Sequence, residues 1–126
     1  IENIKIVPYI YNMEEIMNIS DLVVCRSGAL TITEIALLGK PAIFIPFPNA
    51  AENHQEYNAR VLEKVGAAKI ILDKNLDEKV LHREIQKIIT NEEILKAMGE
   101  KANKVATTGV EDKIYSEINL AINESK

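Results

Sequence analysis

The residues best suited to chemistry in this sequence lie between Arg26 and Glu34, in the stretch RSGALTITE. An apolar run over residues 22–25 precedes them, and the apolar spacing of residues 32–38 predicts that a helix follows. A tight turn at Gly28, between a strand and a helix, directs backbone N–H groups toward one point, where the helix dipole also favours negative charge. The stretch is therefore a candidate phosphate site, and Glu34 is placed to accept hydrogen bonds from sugar hydroxyls.

The same stretch also has a purely structural interpretation. Thr31 and Glu34 have the spacing of a capping box, in which a hydroxyl and a carboxylate close the first turn of a helix without any ligand. On spacing alone this interpretation is the more frequent one, because short motifs have a high false-positive rate. Arg26 likewise has two interpretations, since its guanidinium either pairs with a carboxylate or binds phosphate.

A second group of polar residues follows the next apolar run. Residues 42–45 predict another buried strand, and a loop containing two prolines leads from it toward His54 and Gln55. If this strand is a parallel neighbour of strand 22–25, both loops lie at the edge where open α/β sheets bind ligands. His54 and Gln55 then approach the helix start at Leu30. One pocket would hold a diphosphate on backbone N–H groups and sugar hydroxyls on the polar side chains.

These side chains also have structural alternatives. His54 and Gln55 are equally compatible with polar positions in the first turn of an exposed helix, since ligand binding is only one of the roles of histidine. Asn58 is able to bond its own loop, and Cys25 is interpreted as a small buried hydrophobe. No Ser/His/Asp order, paired-carboxylate spacing or zinc pattern emerges, so we identify no catalytic residue, no cofactor and no metal site.

Composition limits the classes of function. The chain has 126 residues, of which 47% are hydrophobic, and this is enough for one domain with a proper core. Its net charge of −4 and the lack of a dense Lys/Arg cluster argue against nucleic acid as a partner. The single cysteine excludes an internal disulfide, and a reducing, cytosolic compartment is expected. No apolar run approaches the roughly 18 residues of a membrane-spanning helix.

The remaining pattern alternates strands with helices. Residues 13–19 predict a short helix, and residues 4–7 and 67–72 predict two further strands. Three helices end the chain, with apolar positions spaced over residues 80–89, 94–105 and 110–122. Alternation of this kind predicts an α/β fold, a parallel sheet with helices on both faces. The Gly-rich first βα turn of a complete nucleotide-binding half is missing, and we expect it upstream of Ile1.

Several segments together resemble a known family. Residues 21–34, 39–46 and 53–59, supported by 62–68, are similar to the signature of the bacterial peptidoglycan N-acetylglucosaminyltransferases, which make lipid II from lipid I. The combination of motifs is specific, and the likeness runs from about residue 9 to residue 68 and continues weakly to the C-terminus. It implies part of the C-terminal domain of a B-type glycosyltransferase fold, in which two Rossmann-like domains face each other across a cleft.

The resemblance also implies a division of roles. Residues 1–126 correspond to the C-terminal domain that binds UDP-N-acetylglucosamine, without its first Gly-rich βα unit. A missing N-terminal domain meets the membrane and the lipid I acceptor, so the complete enzyme is expected at the cytoplasmic face of the bacterial plasma membrane as a peripheral protein. Such enzymes serve cell-wall synthesis, and hence cell shape and division. The isolated chain is expected to bind nucleotide weakly and not to turn over.

A set of donor-binding residues follows from the resemblance. Ile10 matches a position whose backbone reads the uracil ring, and Met13 lies near the base. Glu34 matches the carboxylate that binds the ribose hydroxyls, Gln55 matches a side chain on the donor sugar, and His54 replaces a residue that contacts the same sugar. With the turn and helix start at the diphosphate, the candidate residues for UDP-N-acetylglucosamine are Ile10, Met13, Arg26, Gly28, Ala29, Leu30, Thr31, Glu34, His54 and Gln55.

The implied reaction is an inverting sugar transfer. The C4 hydroxyl of the muramyl sugar attacks the anomeric carbon, and the helix start at Leu30 and Thr31 stabilises the charge that develops on UDP. Two related enzymes share the signature: a glycolipid glycosyltransferase, and the separate donor-binding subunit of a dolichol-linked enzyme. A regulatory, non-enzymatic α/β module is a third interpretation, distinguished by failure to bind any uridine nucleotide.

Overall fold

The computed structural model describes residues 6–8, 10–48 and 53–107 of the chain. Within these ranges strands and helices alternate. The strands are β1 (Val23–Cys25), β2 (Ala42–Phe44) and β3 (Ala68–Ile70). The helices are α1 (Met13–Ile19), α2 (Ala29–Leu38), α3 (Asn53–Lys64), α4 (Glu78–Ile89) and α5 (Glu92–Thr107). A 3-10 turn over Asp73–Asn75 follows β3.

The three strands form one parallel sheet in the order β1-β2-β3. Val23 lies opposite Ala42, and Ala42 lies opposite Ala68, so the strands run level with one another. Because parallel strands present their carboxyl ends at one edge, the loops that follow the three strands share that edge. The neighbouring arrangement of the strands predicted over residues 22–25 and 42–45 is confirmed.

β2 is buried on both faces, as expected for an inner parallel strand. Ala42 and Phe44 belong to an apolar cluster with residues of α1, α2, α3 and α5. Ile43 and the following Ile45 belong to a second cluster with residues of α4 and with Met98 of α5. Since alternate residues of a strand point to opposite faces, helices cover both faces of the sheet, and the predicted α/β fold class is confirmed.

Two glycines end helices in the described part of the chain. Gly39 follows α2 with a φ of 65°, and Gly66 follows α3 with a φ of 82°. Both values lie in the left-handed region that glycine adopts at little cost. The N–H of Gly39 donates to the carbonyl of Ala36 at 3.1 Å, so the last turn of α2 closes on this glycine.

The ends of the chain bear on two sequence predictions. The helix predicted over residues 110–122 lies outside the described residues, as does the first half of the strand predicted over residues 4–7. The second half of that strand, Ile6 and Val7, is exposed and belongs to no strand, because it meets no partner strand in the described part of the chain.

Cys25 ends β1 and packs against the first apolar cluster as a half-buried thiol. Burial raises the pKa of this thiol to about 11, because an apolar environment disfavours the thiolate. The side chain therefore stays neutral at physiological pH and acts as the small hydrophobe that the sequence predicts.

We expect ionisation of this thiol to lower the free energy of unfolding as the pH rises from about 9 toward 11. Below that window both states keep the proton. Within it the unfolded thiol, with its ordinary pKa of 9.0, ionises first, so rising pH favours the unfolded chain. The loss should approach about 2 kcal/mol near the top of the window. Urea unfolding at about pH 8 and about pH 10.5 measures it, and Cys25→Ala should show a smaller decrease; equal decreases in both chains would contradict the assignment.

Candidate functional site

The turn between β1 and α2 forms the centre of the site. α2 begins at Ala29, and Gly28 is its N-cap with an extended backbone, φ −64° and ψ 150°. The first helical hydrogen bond runs from Ile32 N–H to Gly28 O at 3.0 Å. No side chain caps this helix start, so the N–H groups of residues 29–31 have no side-chain acceptor in the described part of the chain. Those groups and the helix dipole together attract an anion.

The capping-box interpretation of Thr31 and Glu34 is wrong. A capping box needs its hydroxyl residue at the N-cap, but Thr31 is already the third residue of α2. Thr33 is the residue whose hydroxyl returns to the helix backbone, donating from Oγ1 to Ala29 O at 3.0 Å. The helix begins earlier than the box requires because the extended backbone of Gly28 already ends the loop after β1.

Gly28 is not demanded by the fold. Its φ and ψ suit any residue, and a Cβ built at this position would meet no atom within 4 Å. Backbone strain and close internal packing are two usual reasons for a glycine in a turn, and neither applies here. The third reason is the close approach of a ligand to the backbone, and it remains open at this position.

α3 begins directly beside this turn. The hydroxyl of the buried Ser27 donates from Oγ to Gln55 O at 2.8 Å. The side chain of Gln55 is held separately, since its Oε1 accepts a hydrogen bond from Phe47 N–H at 3.0 Å. His54 is exposed in the first turn of the same helix. The structure thus brings the start of α3 next to the start of α2, as the order of the strands predicts.

Arg26 extends along the carboxyl edge of the sheet. Its Nη1 donates to Asp73 Oδ1 at 2.9 Å and to Ile45 O at 3.2 Å. The guanidinium also lies over the ring of Phe47, 5.3 Å from the ring centroid, which is within range of a cation–π contact. Of the two partners considered from the sequence, a carboxylate and a phosphate, the structure provides the carboxylate.

The other predicted residues lie on α2 or beside α1. Leu30 and Glu34 are exposed on α2, and Thr31 is half-buried. Glu34 makes no hydrogen bond or ion pair with another described residue. Ile10 is half-buried ahead of α1, and Met13 is the exposed first residue of α1. α2 contacts both α1 and α3, so the candidate base-binding and sugar-binding residues flank one helix.

Sequence reasoning missed three residues of this edge: Ser27, Phe47 and Asp73. Ser27 is fully buried, and its hydroxyl connects the two helix starts. Asp73 opens the 3-10 turn that follows β3. Ser27, Phe47 and Asp73 each follow the carboxyl end of a strand. The rule that ligands bind at this edge of the sheet therefore pointed to them as well as to Arg26.

Asn58 is buried one turn beyond Gln55 on α3, and its Oδ1 accepts no hydrogen bond from another described residue. Residues 49–52 of the loop ahead of α3 lie outside the described residues, so the bond from Asn58 to its own loop stays a prediction. No group of three His, Cys, Asp or Glu side chains among the described residues is arranged to hold a metal ion. None of the described helices is both long enough and apolar enough to cross a membrane.

Fold and site together define a class of protein. A parallel α/β sheet with an uncapped helix start and polar side chains at its carboxyl edge is the arrangement of nucleotide-binding α/β domains. The chain belongs to a family within this class, the glycosyltransferase family 28 C-terminal domain, whose model matches residues 2–114. The family resemblance predicted from the motifs is confirmed.

Relatives match nearly the whole chain. A protein of Thermoanaerobacter sp. strain X514 is 43% identical over 114 residues, which are 90% of this chain and 31% of the relative. One of Oenococcus oeni is 40% identical over 124 residues, which are 98% of this chain and 33% of the relative. Both are named UDP-N-acetylglucosamine–N-acetylmuramyl-(pentapeptide) pyrophosphoryl-undecaprenol N-acetylglucosamine transferase. The chain spans about a third of the length of these relatives.

A solved structure agrees with the family. The crystal structure of Acinetobacter baumannii MurG is similar with a TM-score of 0.73 and 36% sequence identity, covering 89% of this chain and 33% of that protein. The likeness and the family match confirm the predicted architecture, part of the Rossmann-like C-terminal domain of a B-type glycosyltransferase fold.

Proposed function

We propose that residues 1–126 are the donor-binding part of an N-acetylglucosaminyltransferase, which transfers the sugar of UDP-N-acetylglucosamine to lipid I and forms lipid II. The shared name of the relatives supports this reaction. One structural observation carries it to this chain: the hydrogen bond from Ser27 Oγ to Gln55 O holds the start of α3 beside the start of α2. Because the two helix starts are adjacent, a single ligand can place its anion at the start of α2 and its sugar beside the start of α3.

Each part of the donor has an assigned place in this proposal. The diphosphate accepts hydrogen bonds from the backbone N–H groups of residues 29–31, and Gly28 lets it approach the backbone. Glu34, one turn further along α2, accepts from the ribose hydroxyls. His54 and Gln55 contact the N-acetylglucosamine ring. The uracil ring lies toward α1, near Ile10 and Met13.

The reaction proposed is an inverting displacement. The C4 hydroxyl of the muramyl sugar forms a bond to the anomeric carbon, while the bond from that carbon to the diphosphate oxygen breaks. The electron pair stays on UDP, and the first turn of α2 stabilises that charge through oriented N–H dipoles. We assign the base that takes the hydroxyl proton, the lipid I contact and the membrane contact to a separate N-terminal domain. The complete enzyme would then work at the cytoplasmic face of the membrane, in cell-wall synthesis.

Isothermal titration of the chain with UDP, UDP-N-acetylglucosamine and UDP-glucose tests the proposal. We expect UDP and UDP-N-acetylglucosamine to bind, and UDP-glucose to bind more weakly than UDP-N-acetylglucosamine. A preference for UDP-glucose would instead favour a related glycolipid glycosyltransferase. A folded chain that binds none of the three ligands would contradict the proposal and favour a non-enzymatic α/β module.

Gly28→Ala isolates the diphosphate contact. Because the added Cβ meets no atom within 4 Å, we expect the free energy of unfolding to change by less than about 0.5 kcal/mol. A poorer N-cap and a stiffer unfolded chain offset each other. The methyl group would occupy space next to the bound diphosphate, so UDP affinity should fall about tenfold, the effect of roughly 1.4 kcal/mol. Calorimetry with UDP measures this, with uridine shifts in NMR as the phosphate-free control; unchanged UDP affinity would move the diphosphate away from this turn.

A further inference from the structure

We propose that Arg26 is a positioning residue for the donor sugar and not a ligand of the diphosphate. Together with Asp73 and Phe47 it sets the orientation in which Gln55 meets the N-acetylglucosamine ring. The inference rests on the proposed function, because it assumes that Gln55 serves the sugar end of the donor.

Arg26 connects the segments that follow all three strands. It lies directly after β1, and its Nη1 donates both to the carbonyl of Ile45, after β2, and to the carboxylate of Asp73, after β3. The central carbon of its guanidinium lies over the Phe47 ring, 5.3 Å from the ring centroid. A single side chain therefore holds the carboxyl edge of the sheet together through two hydrogen bonds and one ring contact.

The charge around Arg26 disfavours a direct phosphate contact. Asp73 Oδ1 already lies 2.9 Å from Nη1, and a phosphate on the same guanidinium would bring two anions close together. The ion pair is also too exposed to contribute much stability, with 47% and 35% of the two side chains accessible. Its effect is therefore geometric, because it fixes the position of the guanidinium over the Phe47 ring.

Phe47 transmits this geometry to Gln55. Its ring contacts Arg26, and its backbone N–H donates to Gln55 Oε1 at 3.0 Å. Ser27, the neighbour of Arg26 in the chain, donates to the Gln55 carbonyl at 2.8 Å. The backbone and the side chain of Gln55 are thus each held by a residue that adjoins or contacts Arg26.

The Phe47 segment has space to move once this contact is lost. Phe47 is 47% exposed and belongs to neither apolar cluster. A cavity of about 220 Å³ opens beside it, lined by Pro46, Phe47, Pro48, Glu56, Leu72, Asp73 and Lys74. Without the guanidinium over its ring, the segment can shift into this space, and the hydrogen bond to Gln55 shifts with it.

Titration of Arg26→Gln and Asp73→Ala with UDP and with UDP-N-acetylglucosamine tests the inference. The quantity that matters is the ratio of the two affinities, which reports the sugar contact alone. We expect each variant to bind UDP within about twofold of the parent chain. The ratio of UDP-N-acetylglucosamine affinity to UDP affinity should fall about five- to tenfold, roughly the value of one hydrogen bond. The double variant should lose no more than either single variant, because both act through one contact. Gln55→Ala provides the reference loss of the sugar contribution.

Other outcomes overturn the inference in distinguishable ways. If Arg26→Gln weakens UDP and UDP-N-acetylglucosamine equally while Asp73→Ala does not, Arg26 binds the diphosphate directly. If both variants lower the free energy of unfolding but leave the affinity ratio unchanged, their role is structural only. If Gln55→Ala changes the ratio and the other two variants do not, the inference fails and the proposed function stands. If the parent chain binds neither ligand, the proposed function fails and the inference fails with it.

Discussion

Glu34→Ala is expected to weaken UDP and UDP-N-acetylglucosamine binding about 5- to 150-fold while leaving the fold intact. The carboxylate is exposed on α2 and makes no hydrogen bond or ion pair with another described residue, so its removal should change the free energy of unfolding by less than about 0.5 kcal/mol. In the proposed complex it accepts hydrogen bonds from the ribose hydroxyls, and losing a hydrogen bond to a charged group costs about 1–3 kcal/mol. Calorimetry on the variant and the parent chain measures the ratio.

Two controls separate a ribose contact from a general charge effect. Glu100→Ala removes the same charge from an exposed position on α5 and should leave both affinities unchanged. The 2′-deoxy analogue of UDP should bind the parent chain more weakly than UDP does. Binding of UDP and of this analogue should differ less in Glu34→Ala, because the partner of the hydroxyl has already been removed. Full UDP affinity in Glu34→Ala would exclude the ribose assignment and leave the diphosphate assignment to be judged by Gly28→Ala.

The arrangement of the sheet was predictable because it depends on long apolar runs. Buried parallel strands joined by helices are usually neighbours, so the runs ending at Cys25 and Ile45 were enough to bring Gln55 toward the start of α2. The start of α2 itself was predicted less well. A glycine fits a turn and an N-cap equally, and threonine followed by glutamate three residues later fits a capping box; only the backbone of Gly28 separates the two.

The partner of Arg26 was not predictable from the sequence. Asp73 lies 47 residues away along the chain, and the 3-10 turn that presents it has no apolar periodicity. Local pattern shows that both residues follow strands, but it does not show which side chains meet across the edge of the sheet. That choice depends on how β1, β2 and β3 align, which is a property of the packed sheet.

Gly99→Ala is expected to destabilise the chain by about 1–3 kcal/mol, the usual cost of overpacking. A Cβ on Gly99 would lie 2.5 Å from the carbonyl oxygen of Gly39, which is shorter than any tolerable contact. Gly39 cannot easily yield, because its left-handed backbone closes α2 through the hydrogen bond to Ala36. α5 would therefore have to move away from α2, and the nearby bond from Asn103 Nδ2 to Leu37 O, at 3.1 Å, would weaken as well.

The sign of the change in the free energy of unfolding distinguishes a close contact between α2 and α5 from loose packing. In a loosely packed helix the same substitution stabilises, since alanine has a helix propensity about 0.8–1 kcal/mol better than glycine. A stabilised Gly99→Ala chain would mean that α2 and α5 are not in backbone contact. Urea unfolding decides between the two signs, and Gly28→Ala is the matched control because its Cβ meets nothing within 4 Å. Since α5 contributes to the apolar clusters on both faces of the sheet, displacing it should lower the stability of the domain as a whole. The contacts at the start of α2 are then tested separately, by UDP binding.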